Sequence, residues 1–188
     1  AEDSLVLNSG SSAIFCAVMS NVQAGDHIVS VQKPYTWAWK LFDNVLTRYN
    51  VSTTYIDGTR IEHFEAAIQP NTKVIYLESP NSLTFELQDI EAVAKLAKSR
   101  GIITIIDNSY CTPVFQKPHR LGIDLCLQSA TKYIGGHSDT VLGAVVVRDP
   151  ELHERVRFVQ NAAGAIPGPM DCFLVHRGLR TLHLRMAA

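Results

Sequence analysis

LQSATKYIGGHSD, residues 127–139, is the stretch that decides how this chain is read. Lys132 stands at its centre. Just upstream, Ile123 to Leu127 is an apolar run broken only by Asp124 and short enough for a buried strand, while Gly135 and Gly136 follow closely. The lysine therefore falls where a strand ends and a turn begins. A parallel α/β sheet gathers its ligands outside the carboxyl ends of its strands, where a lysine amine can be partly desolvated and kept reactive. Ser129 and Thr131 flank it with hydroxyls that can each donate a hydrogen bond to an anionic oxygen. A surface lysine closing a strand would fit the same letters, so the remainder of the chain has to discriminate.

Working outward, the chain reads as strands and helices in alternation. Ser4 to Leu7 leads through Asn8-Ser9-Gly10-Ser11-Ser12 into a helical pattern from Ala13 to Val22. Such a helix start exposes unpaired amides and the positive end of the dipole, which suits a phosphate, although an ordinary serine cap has the same sequence. His27 to Val31 reads as a strand, followed by Lys33-Pro34-Tyr35 and an amphipathic helix carrying Trp37, Trp39, Leu41, Phe42, Val45 and Leu46. Most of those aromatics are expected in the core, with Tyr35 the exception, because a flat ring in a strand-end loop can stack on a flat ligand. Val51 to Ile56, Lys73 to Leu77, Ile102 to Ile106 and Val141 to Val147 read as further strands. Helices are expected over Ile61 to Ile68, Asp89 to Arg100, Glu151 to Asn161 and about Pro169 to Arg185. This alternation predicts an α/β fold, a mostly parallel sheet sandwiched by helices.

The bulk properties exclude several classes. With 188 residues, 46% hydrophobic and 19% charged, the chain suits one well-cored globular domain. A formal charge of −1 offers no basic excess for nucleic acid or an anionic membrane. Cys16, Cys111, Cys126 and Cys172 are irregularly spaced, which suits a reducing compartment better than a disulfide framework. The histidines, His27, His63, His119, His137, His153, His176 and His183, show no metal-ligand spacing, so no metal is expected. No apolar run approaches the roughly 20 residues of a membrane helix, and the opening residues lack the pattern of a signal peptide, so the reading is cytoplasmic. The chain opens almost directly in a strand and stops inside a helical pattern, which suggests a piece of a longer protein.

Asp107 ends the strongly apolar run Ile102 to Ile106, a costly place for a carboxylate without a task. One such task is to face a pyridinium nitrogen. Pyridoxal phosphate asks a protein for a lysine, an anion at the ring nitrogen, donors for its phosphate and an aromatic wall, and the chain offers all four at predicted strand ends.

On these residues the chain resembles the trans-sulfuration family of pyridoxal-phosphate enzymes, the cystathionine synthases and lyases, methionine gamma-lyases and homoserine sulfhydrylases. The run from Asp124 and Leu125 through Ser129-Ala130-Thr131-Lys132-Tyr133-Ile134 to Gly136-His137-Ser138 is its most specific motif. Support comes from Ser9 to Ile14, the stretch around Tyr35, Glu78-Ser79-Pro80, Asp107 to Pro113 and His176 to Leu182. The resemblance implies the large cofactor domain of the aspartate-aminotransferase type (fold type I). Residues 1–188 would form this central domain, incomplete, with the family's N-terminal arm and C-terminal small domain absent. It also implies roles. Lys132 would carry the cofactor as a Schiff base and shuttle a proton, and Asp107 would pair with the ring nitrogen. The Gly10 and Ser11 amides and the Ser129 and Thr131 hydroxyls would hold the phosphate, and Tyr35 would stack on the ring and assist the leaving group. Asn81 falls one place early for the asparagine that usually contacts the ring oxygen. Thr36-Trp37 follow Tyr35 where relatives carry paired glycines, so the substrate side of the pocket should differ.

The implied reaction is β- or γ-elimination, or γ-replacement, on cystathionine, methionine or an O-acyl-homoserine, with a lyase preferred to a synthase or sulfhydrylase. A cofactor-binding piece without activity stays open. The expected partners are a small amino-acid substrate and further copies in a homodimer or homotetramer. A dinucleotide domain is set aside because no GxGxxG follows the first strand. Arg177, Arg180 and Arg185 read as a solvated helix face, Cys111 as packing and His137 as structural.

Overall fold

Each of the apolar and β-branched runs forms a strand in the computed structural model, which describes residues 3–188. They are β1 (Asp3–Leu7), β2 (His27–Val31), β3 (Ser52–Ile56), β4 (Thr72–Glu78), β5 (Ile103–Asp107), β6 (Leu125–Ser129) and β7 (Gly143–Val147). Among the described residues they make one sheet of seven strands in the order β1-β7-β6-β5-β4-β2-β3. The expected α/β class and mostly parallel sheet are borne out, with β2 parallel to both β3 and β4. The edge strand departs from this, since β1 runs antiparallel to β7, with Asp3 opposite Val147 and Leu7 opposite Gly143.

The helices are α1 (Gly10–Met19), α2 (Thr36–Lys40), α3 (Ile61–Ala67), α4 (Ile90–Ser99), α5 (Thr112–Phe115), α6 (Pro150–Ala163), α7 (Pro169–Leu179) and α8 (Leu182–Ala187). Their starts follow from capping chemistry. Ser9, Asp89 and Asp149 each accept a first-turn amide of α1, α4 and α6, and Pro150 stands at the first position of α6, where its missing N–H costs nothing.

Several boundaries differ from the sequence reading for local reasons. Strand β6 starts after Asp124, whose carboxylate is held at 2.8 Å by both the amide and the hydroxyl of Thr104. Helix α1 starts at Gly10, not Ala13, because Ser9 caps it. The final helical pattern breaks at Arg180-Thr181 into α7 and α8. The expected core placement of Trp37 and Trp39 is wrong, since they are 55% and 42% exposed. After five residues α2 widens into a π-helical turn over Leu41–Val45, and the buried stripe runs through Ala38, Leu41, Phe42 and Leu46. Each tryptophan lies one residue to either side of Ala38, about 100° around the helix and off that stripe. Trp37 instead lies under the Lys40 ammonium, 4.5 Å from its ring centre.

The chain divides into two compact units. The first comprises residues up to Ser20, Asp107–Lys117 and residues from Cys126 onward; the second comprises Asn21–Ile106 and Pro118–Leu125. In the first, Ala130, Ile134, Leu142, Val175 and Leu182 form an apolar cluster beneath the lysine turn, joined by Cys172 and Met186. Gln160 on α6 donates to the Val6 carbonyl at 2.6 Å, so the edge strand is covered by that helix. The core of the second unit holds Phe42 edge-on to Tyr76 at 5.2 Å, with Phe64, Ile28, Ile75 and Leu46 fully buried. His27 is buried there with Nδ1 2.8 Å from the Thr72 hydroxyl and Nε2 2.8 Å from that of Thr54, and burial lowers its pKa. Among the described residues no helix is long and apolar enough to cross a membrane, and no cluster of His, Cys, Asp and Glu could hold a metal.

Candidate active site

The first unit gathers most of the residues singled out in the sequence. Ser9 has an extended backbone, and its hydroxyl accepts the Ser12 amide at 3.0 Å, which turns the chain sharply from β1 into α1. The Gly10 and Ser11 amides then fall in the first turn, where a helix has no carbonyl to offer them. Two glycines permit close packing here. A Cβ on Gly10 would lie 2.8 Å from Ser129 Oγ, and one on Gly143 would overlap the Ser9 carbonyl. Any side chain at position 10 would therefore fill the space between the helix start and the end of β6.

Ser129 ends β6, and its hydroxyl makes no hydrogen bond among the described residues. Its amide donates to Ser109 Oγ at 2.6 Å. Ser109 in turn gives both its hydroxyl, at 2.6 Å, and its amide, at 2.9 Å, to Asp107 Oδ1. Asp107 Oδ2 has no hydrogen-bond partner among the described residues. Burial pushes the Asp107 carboxyl up, against the opposing pull of the two Ser109 donors. Ser109 escaped the sequence reading although DNSYCTP was noted; an Asx-type pair at a strand end was the local signal.

Beyond Ser129 the chain makes a tight turn, with Lys132 N donating to Ser129 O at 3.0 Å, Gly135 N to Ala130 O at 2.7 Å and Gly136 N to Lys132 O at 2.7 Å. Lys132 thus lies at a strand-to-turn junction, as its sequence suggests, but it is exposed rather than partly desolvated. The turn leaves Lys132 in solvent, with Ile134 and Gly135 taking the buried positions. Thr131 is placed beside it with its hydroxyl engaged on the residue that precedes β7: it donates to Leu142 O at 3.2 Å and accepts from Leu142 N at 3.1 Å. Of the two flanking hydroxyls, Ser129's is the one left available.

Tyr35 and Asn81 belong to the second unit. Tyr35 follows β2 and caps α2, and its amide is held by Glu78 Oε1 at 2.8 Å. Glu78, the last residue of β4, also accepts the Tyr76 hydroxyl at 3.3 Å and the Ser82 amide at 3.3 Å. It fixes the loop bearing Tyr35, a role the sequence does not announce because Tyr35 lies 43 residues away. Asn81 is buried, with its amide nitrogen donating to Gln32 O at 3.0 Å and its oxygen accepting from Leu83 N at 3.3 Å, so both ends of its side chain brace the loop.

The histidine, cysteine and arginine side chains divide. His137 is exposed, with Nδ1 2.7 Å from Gly135 O. No disulfide joins the four cysteines; burial raises Cys16 to about 11 and Cys126 to about 12, so both are neutral thiols, and Cys111 is half-buried. The solvated-face reading holds for Arg180 and for Arg177, exposed and paired with Asp139, and fails for Arg185, which is bound to the Ile134 and Gly178 carbonyls. The Asp139 and Ile134 partners lie far back in the sequence, beyond the reach of helical spacing.

An exposed lysine at a strand-end turn, a strand-end carboxylate with one free oxygen and a glycine-cleared helix start define an α/β domain that can hold an anionic ligand at the carboxyl ends of its strands. Over residues 1–188 the sequence matches the family model described as Cys/Met metabolism PLP-dependent enzyme, and the chain belongs to that family. Pyridoxal phosphate is the family's cofactor, and the resemblance carried by the Lys132 motif is borne out. The chain is 45% identical over 186 residues to a protein of Herpetosiphon aurantiacus named probable cystathionine gamma-synthase, covering 99% of this chain and 58% of the relative. It is 43% identical to a cystathionine gamma-lyase of Bacillus subtilis, covering all of this chain and 49% of the relative. A solved cystathionine gamma-lyase of Lactobacillus plantarum, complexed with L-serine, superposes with a TM-score of 0.93 at 42% identity, over 96% of this chain and 47% of that one. The chain thus spans about half the length of the curated relatives it matches.

Proposed function

We propose that the chain is the central cofactor domain of a longer pyridoxal-phosphate enzyme of sulfur amino-acid metabolism. The reaction is elimination or replacement at the β or γ carbon of cystathionine, methionine or an O-acyl-homoserine, with elimination preferred. The observation that carries this reading is the meeting at Ser129, which touches the Gly10 helix start on one side and, through Ser109, reaches the free-sided acid Asp107 on the other.

The residues fit the cofactor. The Gly10 and Ser11 amides and the Ser129 hydroxyl would hold its phosphate, with Thr131 bracing that end against Leu142. Asp107 Oδ2 would accept the ring N–H, Lys132 Nζ would be the covalent anchor, Tyr35 would wall the ring, and Asn81 would support the loop beside it. Bound there, pyridoxal phosphate supplies an electron sink for a carbanion at the substrate Cα. The protein's own part is proton handling and orientation. The Lys132 amine, once released, takes the Cα proton and returns it at a neighbouring atom. The Tyr35 hydroxyl gives a proton to the departing sulfur or oxygen. Ser109 keeps Asp107 turned so that Oδ2 faces outward. The names of the relatives include both synthases and lyases, and all of these chemistries share the Cα step. A cytoplasmic setting and assembly of identical subunits complete the reading.

The test is reductive trapping. The chain is incubated with pyridoxal phosphate, reduced with borohydride and mapped by peptide mass, and the same chain extended to its relatives' length is assayed for oxo-acid release and thioether formation. Label on the Lys132 peptide, absent in Lys132→Ala, is expected, with oxo-acid release from cystathionine by the extended protein. Label confined to other lysines in a folded chain would sink the assignment.

A further inference from the structure

The two carbonyls that follow Lys132 are held by one distant side chain. Within the lysine turn, backbone amides return to Ser129, Ala130 and Lys132, which leaves the Tyr133 and Ile134 carbonyls on the outer side of the turn. The Arg185 guanidinium takes both. Nη1 donates to Tyr133 O and Nη2 to Ile134 O at 3.1 Å, while Nη2 also reaches Gly178 O at 2.6 Å and Nε reaches the Thr181 hydroxyl at 3.1 Å.

The glycines around this cation make the same point independently. A Cβ on Gly136 would overlap the guanidinium, and one on Gly178 would overlap the Gly135 carbonyl. The lysine turn and the α7–α8 corner therefore approach to backbone contact, with Arg185 bridging the Tyr133 and Ile134 carbonyls on one side and the Gly178 carbonyl on the other. Beneath them the cluster of Ala130, Ile134, Leu142, Val175 and Leu182 joins the same two segments through apolar packing. Only a planar cation with several forked donors can serve three carbonyls and a hydroxyl at once; a lysine ammonium offers three donors from a single point.

We propose that Arg185 is a positioning residue for Lys132: by holding the carbonyl edge of the turn to the α7–α8 corner, it fixes the direction from which the lysine amine is presented. This rests on the reading of Lys132 as the anchoring lysine. Without the guanidinium, the turn keeps its internal hydrogen bonds and its apolar floor, but its outer carbonyls lose their charged donor and the amine loses a fixed origin.

The experiment compares the wild-type chain with Arg185→Ala, Arg185→Lys and, as control, Arg180→Ala, whose arginine is exposed at the end of α7. Each is incubated with pyridoxal phosphate, reduced with borohydride at timed intervals and mapped, so that label on Lys132 is scored against label on Lys33 and Lys117. Thermal unfolding is followed in parallel. Arg185→Ala is expected to slow labelling of Lys132 by about tenfold or more, the size set by losing a charge-assisted hydrogen bond. Labelling of Lys33 and Lys117 should stay at the wild-type rate, and Arg185→Lys should recover part of the loss. Arg180→Ala should match the wild type. A folded Arg185→Ala that labels Lys132 at the wild-type rate overturns the role of Arg185 while leaving Lys132 as the anchor. A wild-type chain without label on Lys132 removes the anchor itself, and the inference with it. If Arg185→Ala does not fold, Arg185→Lys decides: a selective loss at Lys132 supports the role, and an unchanged rate overturns it.

Discussion

Glu78 and Asp107 each close a strand with a carboxylate, β4 in one case and β5 in the other, and the protein treats them in opposite ways. Both Glu78 oxygens are engaged, by the Tyr35 and Ser82 amides and the Tyr76 hydroxyl, and the residue is 2% exposed. Asp107 directs one oxygen to two donors on a single neighbour and keeps the other clear among the described residues. A saturated strand-end acid is scaffold, since a buried charge needs every partner it can find. An acid with a clear oxygen has its orientation fixed and its bonding capacity in reserve. Strand-end position alone does not mark a functional carboxylate; the distribution of its donors does.

The contrast can be broken most decisively at Asp107. Asp107→Asn keeps an acceptor for Ser109 but removes the charge that would face the ring nitrogen. Cofactor affinity, measured by visible titration, should fall about 10- to 100-fold, corresponding to a charge-assisted hydrogen bond of about 1.5–3 kcal/mol. Unchanged affinity would place Asp107 with the scaffold. Glu78→Gln probes the other side. The glutamine amide turns its own N–H groups toward the Tyr35 or Ser82 donors, and stability by urea unfolding should drop by about 1–3 kcal/mol. A neutral result would mean that the loop is held by packing alone.

The smallest effect is in the pH dependence. Burial raises the Asp107 carboxyl from its ordinary 3.8, so the folded chain holds that proton to higher pH than the unfolded chain does. The contribution of this group to stability is therefore full below 3.8 and is lost as pH rises through its folded-state value. Asp107→Asn should accordingly exceed the wild type in stability at neutral pH, with the gap closing as pH falls toward 3.8. A gap that widens on acidification would show that the carboxylate is stabilised by its surroundings, as Glu78's arrangement implies for its own.

These two acids also mark what could be read in the chain. The seven strands, the lysine at a strand-to-turn junction, the acid at the end of β5 and the small-residue helix start were legible because each is announced by neighbours in sequence. Ser109 lies two residues from Asp107 yet gains its meaning from Ser129, and Glu78 gains its own from Tyr35, 43 residues away. Arg185 is separated by 51 residues from Ile134, and nothing in helical periodicity reports that a guanidinium will turn back onto a carbonyl row. Trp37 and Trp39 mislead because their apolar character marks them as core, whereas they flank Ala38 and lie off the buried stripe of α2. Periodicity carries the layers of the fold; long-range donor–acceptor matching makes the site.

The antiparallel pairing of the first strand with the last has a consequence for the order in which the molecule is made. During synthesis β1 is made before the other six strands of the sheet, whereas its partner β7 is translated last of these. A nascent chain that ends before Gly143 already contains Lys132 and Asp107, yet its first strand is unmated and the peptide between Ser9 and Gly10 has no glycine strand to lie against. Pairing over so long a separation is entropically slow. The helix start is thus completed only once β7 has been made, and the phosphate capture proposed for it would need a chain already extended past Val147.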